Sequence, residues 1–550
     1  MLPDLPESYY HDNVLTLFAH VEKLYADLLD AEMLGFLEKF AGLDSDAQRL
    51  YIRLLNRSRD WFRLSKLNYA EIGSIENAID SLQQQNLLRV NDQIDEQSLL
   101  SLFTKAELVA AADEPGLKKL GRDDLVVAIL EGRDRSILNR LLAADTLLGV
   151  QQRDRYQMAQ MLFFGNLNQS MTDFVLRDLG LYQFESYPID AEHRPYRSAE
   201  EINQHWLLYE LEIILETTDL ADTGALLQLY RNIPDTLDPV SPAYRKSERL
   251  RYEIARQIER NGDLDQAHML YLDCHIHPAR ERIARILAQQ NETERALDCC
   301  VEIIQAPIED AEIQFATQFA ERLINRHRLE PIPELERHRL THQPDVEELE
   351  LPYADCVELA VVEHYNELEG ESCCFYLENT LFNGVLGLLF WDVIFAPLPG
   401  AFFNPFQYRP SDFYARDFCA RRQELIQRAW SSYADTKQMS NIVQTRWQEK
   451  YGLMNPLVQW PYLELELIEL ALERIDFDHW QVIFERILND LANNRAGFPD
   501  LVHFPSSGGY CLIEVKGPGD SLQKNQQRWM QYFKDHGIPH RLTKVAWIED

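Results

Sequence analysis

None of the eight cysteines in this 550-residue chain stands in a CxxC relationship with another. A structural zinc site is therefore not expected, and a reducing interior is the better compartment. The amino terminus, MLPDLPESYYHDN, has neither the basic cluster nor the apolar core of a secretory signal, so the expected location is intracellular and cytoplasmic. Long apolar runs are missing too. The most apolar segment, LFNGVLGLLFWDVIF over 381–395, is shorter than the roughly 20 residues that cross a bilayer. It carries Asn383 and Asp392, reads as a buried helix, and gives no reason to expect a membrane partner. Positive charge is also scarce: 54 Lys and Arg face 89 Asp and Glu, a net charge of -35. That excludes a protein that coats nucleic acid nonspecifically, because such affinity comes from massed cations. Local basic patches on one face remain allowed.

What is present is an ordinary globular composition, 46% hydrophobic and 26% charged. The length suits about three to five compact units. From Asp44 to Val90 the chain reads as short helices, RLYIRLLNR and SIENAIDSLQQQNLLRV, the second with apolar positions Ile75, Ala78, Ile79, Leu82 and Leu87 at helical spacing. With Arg57, Arg59, Arg63 and Lys66 between them, this region is either a plain helical pair or a winged-helix-like DNA contact. Next, Thr104 and Glu107 form a capping box, the motif Glu114-Pro115-Gly116 breaks the helix, and a second helix follows Arg122 and Asp123.

Helix, turn, helix recurs from about Ser247 to Arg328. Ala267 and Ala296 sit in matching places, at a spacing shorter than the tetratricopeptide period of about 34 residues. This is a degenerate array of paired helices, and such stacks leave a long groove. Arginines at 249, 251, 256, 280, 282 and 285 recur along it, either lining the groove for a nucleic-acid backbone or pairing with neighbouring glutamates. The proline- and acid-rich stretch 329–353 reads as a linker.

The densest chemistry lies in AGFPDLVHFPSSGGYCLIEVKGPGD, 496–520. Leu501–Phe504 and Tyr510–Val515 read as a hairpin around a glycine-containing turn. Alternation puts Glu514 and Lys516 on one face and Val515 on the other, with Asp500 where the first strand begins. Buried unpaired carboxylates are costly, and two together repel unless a cation or proton intervenes. A hard divalent ion settles that conflict, held by Asp500, Glu514 and the backbone carbonyl of Val515. Lys516 beside it would orient or help deprotonate a water and offset charge on phosphorus, an arrangement suited to phosphodiester hydrolysis. The bland alternative is an exposed Glu514–Lys516 pair on an edge strand, with Asp500 a turn residue.

The same residues carry a resemblance. The terminal region resembles the VRR-NUC branch of the PD-(D/E)xK nuclease superfamily, through Asp500 after proline, Glu514 with Lys516, and Gln526 with Trp529 on the helix after Asp520. In YLENTLFNGVLGLLFWDVIF, Glu378 matches the family's additional carboxylate, the other reading being a simple charge favourable to the dipole of the apolar helix that follows. The two short helices after Leu99 are either an ordinary helical hairpin or the SAP module they resemble, which implies phosphate contacts at Lys105, Lys118, Lys119 and Arg122. As a whole the chain is similar to the Fanconi-associated nuclease family in its compact bacterial form.

The fold so implied is multidomain and mostly α: an N-terminal helical, winged-helix-like DNA-contact region over 1–95, a SAP-like module over 96–135, linker and tetratricopeptide-like helices over 136–330, and a C-terminal α/β VRR-NUC domain over 350–550. The resemblance implies a nuclease that cuts 5′ flaps and trims DNA 5′ to 3′ in interstrand crosslink repair, using one or two Mg2+ or Mn2+ ions. Its catalytic set would be Glu378, Asp500, Glu514 and Lys516, with Gln526 in support and metal bound by Glu378, Asp500, Glu514 and Val515. The partner is branched or flapped DNA in the nucleoid, and the ubiquitin-binding zinc finger of eukaryotic members is not seen in this sequence. Two alternatives stand beside it: a noncatalytic DNA-binding scaffold, and a nuclease for four-way junctions.

Overall fold

The computed structural model describes residues 9–112, 117–132, 135–169, 180–370 and 373–548. The chain divides into two units, one formed by 1–181 with 197–199, the other by 182–196 with 200–550. No described helix is long and apolar enough to cross a membrane. The break expected at Glu114-Pro115-Gly116 lies outside the described residues.

In the first unit, three helices (Tyr9–Tyr25, Ala31–Ala41, Ser45–Leu55) precede strand β1 (Trp61–Arg63). The expected second helix is shorter than its apolar spacing suggested: Ser74 caps it by accepting the Asn77 amide at 3.2 Å, and it ends at Gln84. Leu87 therefore lies beyond the helix and Leu88–Val90 is strand β2. With β3 (Leu147–Val150) these make an antiparallel sheet of order β1-β3-β2. Gly149 is required there, since a Cβ would sit 2.8 Å from the Trp61 ring across the β1–β3 pair. Helices Lys105–Ala112 and Arg122–Gly132 pack through Leu108, Ala112, Leu125 and Ile129. The expected capping box is formed, with the Thr104 amide donating to Glu107 at 2.7 Å and the Glu107 amide to Thr104 Oγ1 at 3.4 Å.

The second unit begins its helical array with Ala199–Thr217 and Thr223–Arg231. Pro242–Arg260, Leu264–Leu272, Ala279–Gln289, Thr293–Gln305 and Asp310–His327 follow. Ala267, Ala284 and Ala296 are fully buried, because small residues at these places let successive helices approach closely. The linker expected over 329–353 is partly structured. Val346–Leu351 is strand β4, which adds to the terminal sheet in parallel with β8 (His540–Trp547).

That sheet has the order β4-β8-β7-β6-β5, where β5 is Cys374–Tyr376, β6 Leu501–His503 and β7 Cys511–Lys516. The β4, β8 and β7 strands run parallel, while β6 lies antiparallel to β7 and β5 to β6. Ile513, Val515 and Leu501 bury one face against the helix Val357–Glu369. Leu512 and Val502 bury the other, in a core shared with the buried helix Leu381–Leu389 and with Trp529, Met530 and Phe533 of the helix Lys524–Asp535.

Candidate active site

Three strand ends meet at one corner of the terminal sheet. The β5 strand finishes just before Glu378, β6 begins just after Asp500, and β7 finishes at Glu514, Val515 and Lys516. The backbone pins the corner: the Asp500 carbonyl accepts the amides of Leu377 at 3.0 Å and Glu378 at 2.8 Å. Glu378 itself takes a positive φ of 34°, a turn that any residue with a Cβ resists. The Asp500 carboxylate faces the other way along the sheet and accepts the Val515 amide at 2.8 Å.

Glu514 is fully buried on the face covered by Lys524–Asp535. Its Oε1 accepts from Lys516 Nζ at 2.7 Å and from Gln526 Nε2 at 2.6 Å. Its Oε2 is buried with no hydrogen-bond partner. A capping box fixes the Gln526 amide, whose oxygen accepts the Gln523 amide at 2.8 Å and so turns its NH2 toward Glu514. Trp529 ties the same helix to the segment before Asp500 by donating from Nε1 to the Ala496 carbonyl at 3.1 Å and packing its ring, tilted by 33°, against Phe498. Gly497 lies between, at φ 88°, where a Cβ would come 2.6 Å from Asn525 Nδ2.

The electrostatics follow from this packing. Burial pushes the Asp500 carboxyl up to about 6, against relief from the Val515 amide and Lys516. Burial, and then the charge of Asp500, push Glu514 up to about 8. Two carboxylates thus share one ammonium, and the site is short of positive charge. The donor set suits a hard divalent cation, since it is all oxygen and includes a buried carboxylate oxygen without a partner. Glu378 is less engaged: its side chain is exposed and accepts from Asn379 at 2.8 Å. Among the described residues, no three His, Cys, Asp or Glu side chains are grouped so as to hold a metal ion. The corner therefore joins Asp500, Glu514, Lys516 and Gln526 by side chains, and Glu378 by its backbone and by its charge, which helps to raise both Asp500 and Glu514.

Sequence reasoning missed two participants. Glu358, in the first turn of Val357–Glu369, adds its charge to the field that raises Asp500. Nothing in the local sequence CVELAV marks it. The Gln523 cap was legible in retrospect, because Gln at the cap with Gln three residues on is a capping-box pattern.

In the first unit Lys105, Lys118, Lys119 and Arg122 are all exposed. Arg122 is partly committed, donating to the carbonyls of Ser101 at 3.2 Å and Phe103 at 3.4 Å. Arg63 is not available to DNA at all. It is buried between Glu107 at 2.8 Å and Asp145 at 3.0 Å.

The VRR-NUC domain model matches residues 435–547, and that of the FAN1 HTH domain matches residues 8–89. Over 574 residues the chain is 33% identical to the Fanconi-associated nuclease 1 homolog of Pseudomonas aeruginosa, covering 100% of this chain and 98% of the relative. This chain belongs to the Fanconi-associated nuclease family. It is accordingly a DNA nuclease, a hydrolase with a VRR-NUC domain. The homolog of Oryza sativa subsp. japonica is 22% identical over 616 residues, covering 98% of this chain and 62% of the relative. Among solved structures, paFAN1 bound to DNA with a 2-nucleotide 5′ flap and a gap superposes with a TM-score of 0.85 at 31% identity, over 100% of both chains.

Proposed function

We propose that this chain is a divalent-metal-dependent, structure-selective nuclease that cuts 5′ flaps and trims DNA 5′ to 3′, acting inside the cell in interstrand crosslink repair. The observation that carries the chemistry is Glu514, sealed from water beside Asp500 with one carboxylate oxygen unpartnered. A fully buried carboxylate in that state is costly unless it keeps its proton or a cation completes it, and only the second leaves it ionised for chemistry. The likeness to a flap-bound relative supports the substrate class.

In this reading Asp500, Glu514, the Val515 carbonyl and Glu378 would hold one or two Mg2+ or Mn2+ ions, and the chemistry so supplied would be activation of water and stabilisation of charge on the phosphate. Lys516 orients the water and offsets charge on the scissile phosphate. Gln526 keeps one oxygen of the Glu514 carboxylate fixed, so that the other would be left for a cation. Lys105, Lys118, Lys119 and Arg122 grip the duplex backbone, which positions without reading sequence. The division 1–95, 96–135, 136–330 and 350–550 serves this reading with the start of its third part moved, since 136–181 groups with the first unit, where β3 (Leu147–Val150) pairs with β1 and β2.

The deciding experiment offers labelled 5′-flap, four-way junction and plain duplex DNA with Mg2+, Mn2+ or EDTA, beside Asp500→Asn protein. Metal-dependent cleavage of the flap above the other two, absent in Asp500→Asn, is the expected result. Equal inactivity of both proteins would favour a DNA-holding scaffold, and a preference for the junction would replace the substrate.

A further inference from the structure

The helix that steadies Glu514 is gripped from behind by the helical array. Gln526 reaches Glu514 from the first turn of Lys524–Asp535, and the next two residues, Gln527 and Arg528, both engage Gln314. Gln314 lies on Asp310–His327, the array's last long helix, and is only 3% exposed. Its oxygen accepts from Arg528 Nη1 at 2.7 Å, and its NH2 donates to Gln527 Oε1 at 3.3 Å. Gln527 in turn donates to the Leu522 carbonyl at 3.3 Å, next to Gln523, whose amide holds the Gln526 oxygen. A continuous run of polar contacts thus joins the array to the catalytic carboxylate.

Around this run the interface is polar as well. Arg486 sits over the rings of Trp529 and Tyr532, 4.9 and 4.4 Å from their centroids, and pairs with Asp310 at 3.1 Å. Asn494 donates to the same Asp310 oxygen at 3.2 Å, and Asn493 to Glu309 at 3.0 Å. Burial lowers the pKa of both Arg486 and Arg528, with Asp310 opposing it in each case. Apolar residues would hold two helices together at least as well as buried guanidiniums do. Directional polar contacts do something else: they permit one axial register and penalise its neighbours, because a slip leaves buried donors unpaired.

We propose that Gln314 is a positioning residue for the reaction: through Arg528 and Gln527 it sets where the first turn of Lys524–Asp535 lies, and so whether Gln526 reaches Glu514. The inference rests on the nuclease reading and adds to it a dependence of the catalytic corner on the helical array.

The test uses the full-length protein and four variants: Gln314→Leu, which keeps the volume but not the contacts, Gln314→Glu, which keeps an acceptor for Arg528, Gln526→Ala, and Gln314→Leu combined with Gln526→Ala. On 5′-flap DNA, Gln314→Leu should lower kcat by about tenfold, the scale of a sub-ångström misplacement. KM, and flap affinity measured by anisotropy in EDTA, should stay within about twofold of wild type, a split that marks loss in the transition state alone. Gln314→Glu should restore most of the rate. In the Gln526→Ala background, Gln314→Leu should cost nothing further, because coupled residues are not additive. Calorimetric titration with Mn2+ gives a second measure, with weaker binding expected for Gln314→Leu. Wild-type kcat in Gln314→Leu, or an equal loss with and without Gln526, overturns the proposal. A wild-type protein that cuts no flap would count against the nuclease reading alone, and unchanged Mn2+ binding in Gln314→Leu would then overturn the positioning role.

Discussion

Along the helical array arginine finds carboxylate, whereas at the sheet corner carboxylate outnumbers its cation. Arg251 pairs with Asp235 at 3.1 Å, Arg256 with Glu259 at 2.9 Å, Arg280 with Glu312, Arg282 with Glu259 and Arg285 with Glu281 at 3.8 Å. Of the six arginines that recur in the array, only Arg249 is exposed. A stripe that reads in sequence as a phosphate track is, in space, mostly internal bracing. Among the described residues, Lys516 is the one cation that eases Asp500 and Glu514, and burial, with Asp500 beside Glu514, still pushes both carboxyls up. Balanced charge in a buried place points to architecture, and unbalanced charge points to a site of chemistry.

The sharpest way to break that contrast is at the corner. Lys516→Met should lower metal-supported flap cleavage by about a hundredfold to a thousandfold, the scale for losing one preorganised stabilising group. Flap binding in EDTA should change little. If cleavage persists near wild-type rates, the ammonium does not serve the chemistry.

Next comes a pH effect on the metal-free protein. Both carboxyls are raised above their ordinary values, so the unfolded chain gives up these protons before the folded one does. Their stabilising contribution is full below about pH 4 and is lost as pH rises through about 6 for Asp500 and about 8 for Glu514. The melting temperature in EDTA should fall over that window. Glu514→Gln should flatten the upper part and melt higher than wild type at pH 8, while cutting no DNA. A flat wild-type profile would show that the corner is not short of charge.

In the array the same kind of change should do the opposite. Arg282→Met removes a partner from Glu259, which is already half buried and also bonded by Tyr271. A stability loss of about 1–3 kcal/mol is expected in urea titration, with cleavage per folded molecule unchanged. A drop in flap affinity instead would return the arginine stripe to a DNA-contacting role. The smallest effects belong to the first unit: Lys118→Ala and Lys119→Ala should each weaken flap binding a few-fold and shorten the slope of log affinity against log salt by about one.

How much of this was legible depended on distance along the chain. The hairpin, the face shared by Glu514 and Lys516, and the helix bearing Gln526 all lie within a few dozen residues, where alternation and turn chemistry act directly. The β4 strand was hidden because its residues, VEELEL, look like a solvated linker. Only its parallel register with β8, Glu348 opposite Lys544, makes it a strand, and nothing local encodes that pairing. Strands β1 and β2, three residues each, were too short to outweigh the helical spacing around them. The contact of Gln314 with Arg528 crosses 214 positions and was invisible for the same reason.

Asp500 serves the corner twice over, with its carbonyl receiving two amides and one carboxylate oxygen receiving a third. Asparagine offers the same carbonyl and a side-chain oxygen of the same reach. The Asp500→Asn protein should therefore keep its native outline while losing its chemistry, which makes it the natural trap for crystallising this nuclease on uncut DNA.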